Sequence, residues 1–328
     1  LAAAARFAGA RVRLYDRDPA TLGAGRDSLA ATLRRGVRAI VVTHLYGLPA
    51  DVPSVVALAS EHGVSVVEDA AQAGGGTLDG APLGSLAPVS LLSFGRGKGI
   101  TAGSGGALLL RGATHAAPLP APAGTQRGIG DVARLLAQFV LGRPALYALP
   151  ASIPALRLGE MVYHPAREPT AMSAAAATVA YRAVCDLPDA VAARRRAAER
   201  LRIAAEASRD AIRPRLLTGA AAGWLRYPVR MPSFAEPEPR SGIVRAYPQT
   251  LPEQPALQSI LVAGEPDMPG ARALRAGLFT LPTHHLVGAR DFDSAGAWLA
   301  RGGRPCTRGA AATSRQAWAG AMGRRTAR

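Results

Sequence analysis

Val64-Ser65-Val66-Val67-Glu68-Asp69-Ala70-Ala71-Gln72 is a short apolar run that ends on two carboxylates and breaks into a turn. A run of that length, stopped by polar residues, reads as a strand buried on both faces of a parallel sheet. Asp69 then sits immediately after the strand, at its carboxyl end, and Gln72 lies one short turn later. In a parallel sheet, ligands bind beyond the carboxyl ends of the strands. The plain alternative for Asp69 is that it only caps the next helix.

The pattern repeats on both sides of this stretch. Upstream, Arg38 to Thr43 is a second buried strand. Asp51 can cap a helix whose apolar positions Val52, Val55, Val56, Leu58 and Ala59 end at Gly63. Asp27 reads as the N-cap of an earlier helix that runs to Arg35 and closes at Gly36, and Arg11 to Tyr15 reads as a short strand. Downstream, Val89 to Ser93 and Ala107 to Leu110 are two more strands. Strands alternating with helices of this length imply an α/β fold, with a mostly parallel sheet covered on both faces.

Farther along, Ala113 to Thr125 is rich in Ala and Pro and reads as a surface connection. Asp131 to Leu141 fits an amphipathic helix. Ser173 to Ile203 reads as one long helix with a charged second half. Trp224 to Arg230 and Ser259 to Val262 look strand-like, and a helix is expected near Pro269 to Gly277. The expected organisation is a large domain over 1–172, a connecting helix and small α+β domain over 173–300, and a disordered basic tail over 301–328.

Composition narrows the function classes. Apolar residues make up 48% and charged residues 19% of 328 residues, a globular balance. No apolar run reaches the roughly 18 to 20 residues of a membrane span; the nearest, Leu135 to Leu149, is interrupted by Arg143 and Pro144. Leu1 to Arg6 lacks the basic start and apolar core of a signal peptide. Leu1 is not an initiating Met and lies in what reads as a helix, so the natural start is expected to lie upstream. Cys185 and Cys306 stand far apart without partners, which argues against a disulfide scaffold or a metal site and fits the cytoplasm. The net charge of +16 invites a nucleic-acid reading. Against it, the arginines are spread along the chain and aromatics are sparse. The last 28 residues alone hold seven arginines and no acid.

One residue stands apart. Of the 39 Lys and Arg residues, Lys98 is the single lysine, leaving 38 arginines, and asparagine is absent. Such bias is what a GC-rich genome produces, where arginine serves wherever a positive charge suffices. The surviving lysine therefore marks chemistry that arginine cannot do. A guanidinium stays protonated, whereas an amine can lose its proton and form a Schiff base.

Lys98 lies in Ser90-Leu-Leu-Ser93-Phe94-Gly95-Arg96-Gly97-Lys98-Gly99-Ile100-Thr101-Ala102-Gly103-Ser104-Gly105-Gly106, a strand running into a glycine-rich loop. A phosphate-binding P-loop would need Gly at position 92 and Ser or Thr at 99, where Leu92 and Gly99 stand. The glycine spacing does not match a dinucleotide fingerprint either.

Glu68-Asp69-Ala70-Ala71-Gln72-Ala73, Ser93-Phe94-x-x-x-Lys98 and Gly103-Ser104-Gly105-Gly106 resemble the DegT/DnrJ/EryC1/StrS family of sugar aminotransferases. Thr43-His44-Leu45-Tyr46-Gly47 is similar to that family's His-x-Tyr-Gly segment, and Leu281-Pro282-Thr283-His284, more weakly, to its C-terminal Leu-Pro signature. The resemblance implies a pyridoxal 5'-phosphate (PLP) transferase of fold type I, acting as a homodimer. Lys98 would carry the cofactor as a Schiff base, Asp69 would pair with its ring nitrogen, Gln72 would lie near its ring hydroxyl and Ser93 would bind its phosphate. The implied reaction moves an amino group from a donor such as glutamate to a keto sugar, typically nucleotide-linked. A sugar dehydratase of the same fold carries His in place of the Schiff-base lysine, so Lys98 argues against it. A catalytically silent protein on this fold, with a regulatory or assembly role, is the alternative. No nucleic-acid or membrane partner is expected.

Three departures qualify the resemblance. The family's N-terminal segment, with a Gly-Thr turn that holds the phosphate, does not precede Leu1. No Asn stands in Arg167-Glu168-Pro169-Thr170-Ala171, ahead of Met172-Ser173. The proline-rich stretch 141–164 is unusual. The chain as given is therefore expected to be impaired as a catalyst.

Overall fold

The computed structural model describes residues 2–112, 128–141, 166, 168–264 and 267–305. The expected connection at 113–125, most of the 141–164 stretch, and the tail from 306 onward lie outside them.

After α1 (Ala2–Phe7) and α2 (Arg26–Arg34), the chain forms β1 (Ala39–Thr43), α3 (Val52–Ser60) and β2 (Ser65–Asp69). A hairpin, β3 (Thr77–Leu78) and β4 (Ala81–Pro82), precedes β5 (Val89–Ser93) and β6 (Gly106–Leu110). Its turn residues Asp79 and Gly80 both have positive φ, the twist that a two-residue hairpin prefers. The main sheet has the order β1-β2-β5-β6. The first three strands run parallel and β6 returns antiparallel to β5. Ile40, Val42 and Val66 from the sheet pack with Leu29, Leu33, Val52, Val55 and Ala59 from the covering helices. Asp51 caps α3 as expected, its carboxylate accepting from the Ser54 N–H.

The second half contains α4 (Gly128–Leu141), α5 (Ala174–Cys185), α6 (Leu187–Glu206), β7 (Ala220–Ala221), β8 (Tyr227–Arg230), β9 (Val244–Arg245), α7 (Pro255–Gln258), α8 (Pro269–Gly277), β10 (Leu278–Leu281) and α9 (Ala289–Ala300). Strands β8, β10 and β9 form an antiparallel sheet. Its core joins Tyr227, Val229, Phe279 and Leu281 to Leu201 of α6 and to Trp298 and Leu299 of α9.

Five local expectations are corrected. Arg11–Tyr15 and Ser259–Val262 are not strands; they meet in a single parallel bridge between Val12 and Leu261. Beyond that bridge, the first segment is held by side chains: the Tyr15 hydroxyl donates to the Val41 carbonyl at 2.7 Å. The next residue, Asp16, accepts from the Gly270 and Ala271 amides at the start of α8. Gly25, not Asp27, occupies the N-cap of α2, because its extended backbone fits the cap and Asp27 falls in the first turn. The long helix breaks at Asp186, since Pro188 has no N–H to continue the ladder. Trp224 has φ 47, so the following strand starts only at Tyr227.

Candidate active site

The parallel register places Asp69 and Ser93 at the carboxyl ends of neighbouring strands, on one edge of the sheet. Asp69 is buried, and its Oδ1 accepts from the Ala71 N–H at 3.1 Å. Beyond Ser93 the chain makes a loop closed at its base, where the Ala102 N–H donates to the Phe94 carbonyl at 2.8 Å. Phe94, Ile100 and Ala102 anchor the loop in a core shared with Ala180 of α5. Lys98 projects from its middle, half-buried.

The loop lies directly on the turn that follows Asp69. A Cβ built on Gly74 would stand 2.9 Å from the Gly99 Cα, so the two backbones meet where no side chain fits. This contact brings the Lys98 amine into the field of the Asp69 carboxylate. Burial lowers the Lys98 pKa below the ordinary lysine value, and Asp69 acts in the opposite direction. Gln72, on the same turn, accepts the Tyr46 N–H at 3.1 Å and donates to the Tyr247 hydroxyl at 3.4 Å. All four residues singled out from sequence thus lie along one rim, with Ser93 at the start of the Lys98 loop.

Below the rim lies a different arrangement. The Glu68 carboxylate is fully buried and accepts from His44 Nε2 and the Ser90 hydroxyl at 2.8 Å each. It also accepts from the backbone amides of Gly84, Leu86 and Ala87. Burial alone would raise its pKa, but the hydrogen bonds from His44, Gly84, Ser90 and Leu86 outweigh it and hold it at about 2. His44 Nδ1 accepts from the Ala50 N–H, so its Nε2 carries the proton given to Glu68.

Residues 1–117 match the model of the DegT/DnrJ/EryC1/StrS aminotransferase family. The N-terminal third of this chain is similar to that family. Its aminotransferases are PLP-dependent. An L-glutamine:2-deoxy-scyllo-inosose aminotransferase of Streptomyces lividus is 39% identical over 101 residues, 31% of this chain and 24% of that protein. A UDP-N-acetyl-3-dehydro-alpha-D-glucosamine 3-aminotransferase of Acidithiobacillus ferrooxidans is 43% identical over 79 residues, 24% of this chain and 21% of that protein. The matched stretch therefore spans about a quarter of these curated relatives. The solved structure of the aminotransferase TlmJ from Streptoalloteichus hindustanus superposes with a TM-score of 0.67 at 26% identity, covering 92% of this chain and 75% of TlmJ. The fold is that of the fold type I PLP-dependent transferases.

Within residues 1–117, the His-x-Tyr-Gly and Glu-Asp-x-x-Gln motifs meet each other. His44 binds Glu68, and the Tyr46 N–H binds Gln72. The glycine-rich end of the Lys98 loop is tied to the second half by Asp131, which accepts from the hydroxyls of Ser104 at 2.6 Å and Ser173 at 2.5 Å. Arg194 of α6 is buried and donates to the Gly74 carbonyl at 3.1 Å, bracing the contact between the two loops. Sequence reading passed over Tyr247 and Arg194. Among the described residues no group of three or more His, Cys, Asp or Glu is placed to hold a metal ion.

Proposed function

We propose that this chain belongs to an aminotransferase that uses PLP to move an amino group, from glutamate, onto the keto carbon of a nucleotide-linked sugar. The observation that carries the reading is Lys98: the sole lysine, half-buried, on a loop packed against the Asp69 turn. The residues present fit the cofactor chemically. Lys98 offers an amine for its aldehyde, Asp69 a buried carboxylate for its ring nitrogen, Gln72 an amide for its ring hydroxyl and Ser93 a hydroxyl for its phosphate. When bound, PLP supplies the electron sink that lets the amino-bearing carbon lose a proton.

The rest is done by side chains of this chain. Burial leaves the Lys98 amine neutral at a lower pH than a solvated lysine allows, so Nζ can take up a proton and return it. The Asp69 carboxylate is held in place at the rim by the Ala71 amide. The glycine contact and Arg194 keep the two loops in register.

The same reading has residues 1–172 as the cofactor-binding domain and 173–300 as a connecting helix and smaller domain, assembled as a homodimer. An apolar face on α4 suits such an assembly: Ile129 and Leu136 are 81% and 60% exposed. A cytoplasmic setting suits the exposed free thiol of Cys185. Among the described residues no helix is long and apolar enough to cross a membrane. The test is product analysis with PLP, a panel of nucleotide-linked and free keto sugars, and glutamate or glutamine as donor. An amino sugar formed with glutamate from a nucleotide-linked substrate is expected. PLP binding without amine transfer to any substrate would favour a silent protein on this fold.

A further inference from the structure

Gln72 is gripped from two sides by residues distant in sequence. Its Oε1 accepts the Tyr46 backbone N–H at 3.1 Å, and its Nε2 donates to the Tyr247 hydroxyl oxygen at 3.4 Å. A backbone N–H can only donate, so the amide oxygen must face Tyr46 and the amide nitrogen must face Tyr247. The direction of that N–H is itself fixed. Tyr46 has φ 57, and the next residue, Gly47, accepts from the Gly223 N–H at 2.8 Å.

Tyr247 lies just past β9, 175 residues from Gln72. Its ring packs beside that of Tyr46, with centroids 6.2 Å apart. The Tyr247 hydroxyl takes one of the two N–H groups of Gln72, and the other is left to donate to an acceptor oxygen on a bound molecule. A Gln72 without Tyr247 would keep its oxygen anchored, but its nitrogen would be free to turn. The Tyr247 hydroxyl thus reaches the rim through Gln72.

We propose that Tyr247 is a positioning residue of the cofactor site, its hydroxyl holding the Gln72 amide so that the second N–H is presented to bound PLP; this rests on the reading of the rim as a PLP site. The test uses the full 328-residue chain and its Tyr247→Phe variant, which keeps the ring and loses the hydroxyl. Two readouts are taken: the 15N-resolved side-chain amide resonances of Gln72 without cofactor, and the Kd for PLP from absorbance titration. We expect the Gln72 resonances to move and the Kd to rise about three- to ten-fold, the worth of one neutral hydrogen bond. Tyr247→Phe should add nothing further in a Gln72→Ala background. A variant Kd equal to that of the parent, or losses that simply add, overturns the proposal alone. A parent chain that does not bind PLP overturns the cofactor reading itself, and this proposal with it.

Discussion

Glu68 and Asp69 are neighbours on one strand, yet the fold treats their carboxylates in opposite ways. Glu68 points into the layer beneath the rim, where His44, Ser90 and three backbone amides saturate it. Asp69 ends the strand at the rim, with a hydrogen bond from Ala71 and the Lys98 amine within its field. A buried carboxylate with every lone pair engaged serves stability, because nothing remains for a ligand to bind. One with capacity to spare beside an amine of lowered pKa serves chemistry. The alternation of a strand puts successive residues on opposite faces, so one dipeptide supplies both the foundation and the working edge.

The largest separation of the two roles should come from Asp69→Asn. Transamination should slow by about two or more powers of ten, because the ring nitrogen loses its charged partner. PLP should still bind, and the unfolding midpoint should hardly change. Turnover close to that of the parent would reduce Asp69 to the helix-cap role.

Glu68→Gln should show the reverse pattern. Glu68 falls from an ordinary value of 4.5 to about 2 in the folded chain. The depressed value means its stabilisation is fully present above pH 4.5 and is lost as pH falls toward 2. The shift corresponds to about 3 kcal/mol. Urea unfolding at neutral pH should register a loss near that size in the variant, and the parent should lose the same margin on acidification. A variant as stable as the parent would mean the Glu68 cluster contributes nothing net.

A smaller effect tests the contact that joins the rim's two loops. Gly99→Ala would press a methyl group to 2.8 Å from the Gly74 Cα, which the backbone must relieve by moving. A cost of about 1 to 3 kcal/mol is expected, together with weaker PLP binding. Undiminished affinity and stability would show that the loops tolerate separation.

Much of this was open to reading before any coordinates. Strands β1, β2, β5 and β6 sit within a residue or two of the apolar runs that announced them. In the interior strands β2 and β5, flanking strands and helices leave a continuous apolar signature, whereas β6 keeps its apolar run on the sheet edge with Leu108 and Leu110 exposed. Lys98 and Asp69 could be singled out from sequence because one is chemically unique and the other ends a strand. The segments at 11–15 and 259–262 misled because an apolar run says nothing about how far a backbone pairing extends; theirs stops at one bridge. Beyond it, side-chain anchors from Tyr15 and Asp16 take over. Pro188 already carried the helix break, had the charged repeat after it weighed less. Tyr247 and Arg194 could not be found from sequence, since each acts across more than a hundred residues from a segment with no motif.

The central claim is that the rim carries its chemistry on one amine. Incubation with PLP, borohydride reduction and peptide mapping tests it directly. A pyridoxyl group on the peptide containing Lys98, lost in Lys98→Arg, is the expected result. A label on the chain's amino terminus alone, or none with cofactor in excess, would contradict the assignment.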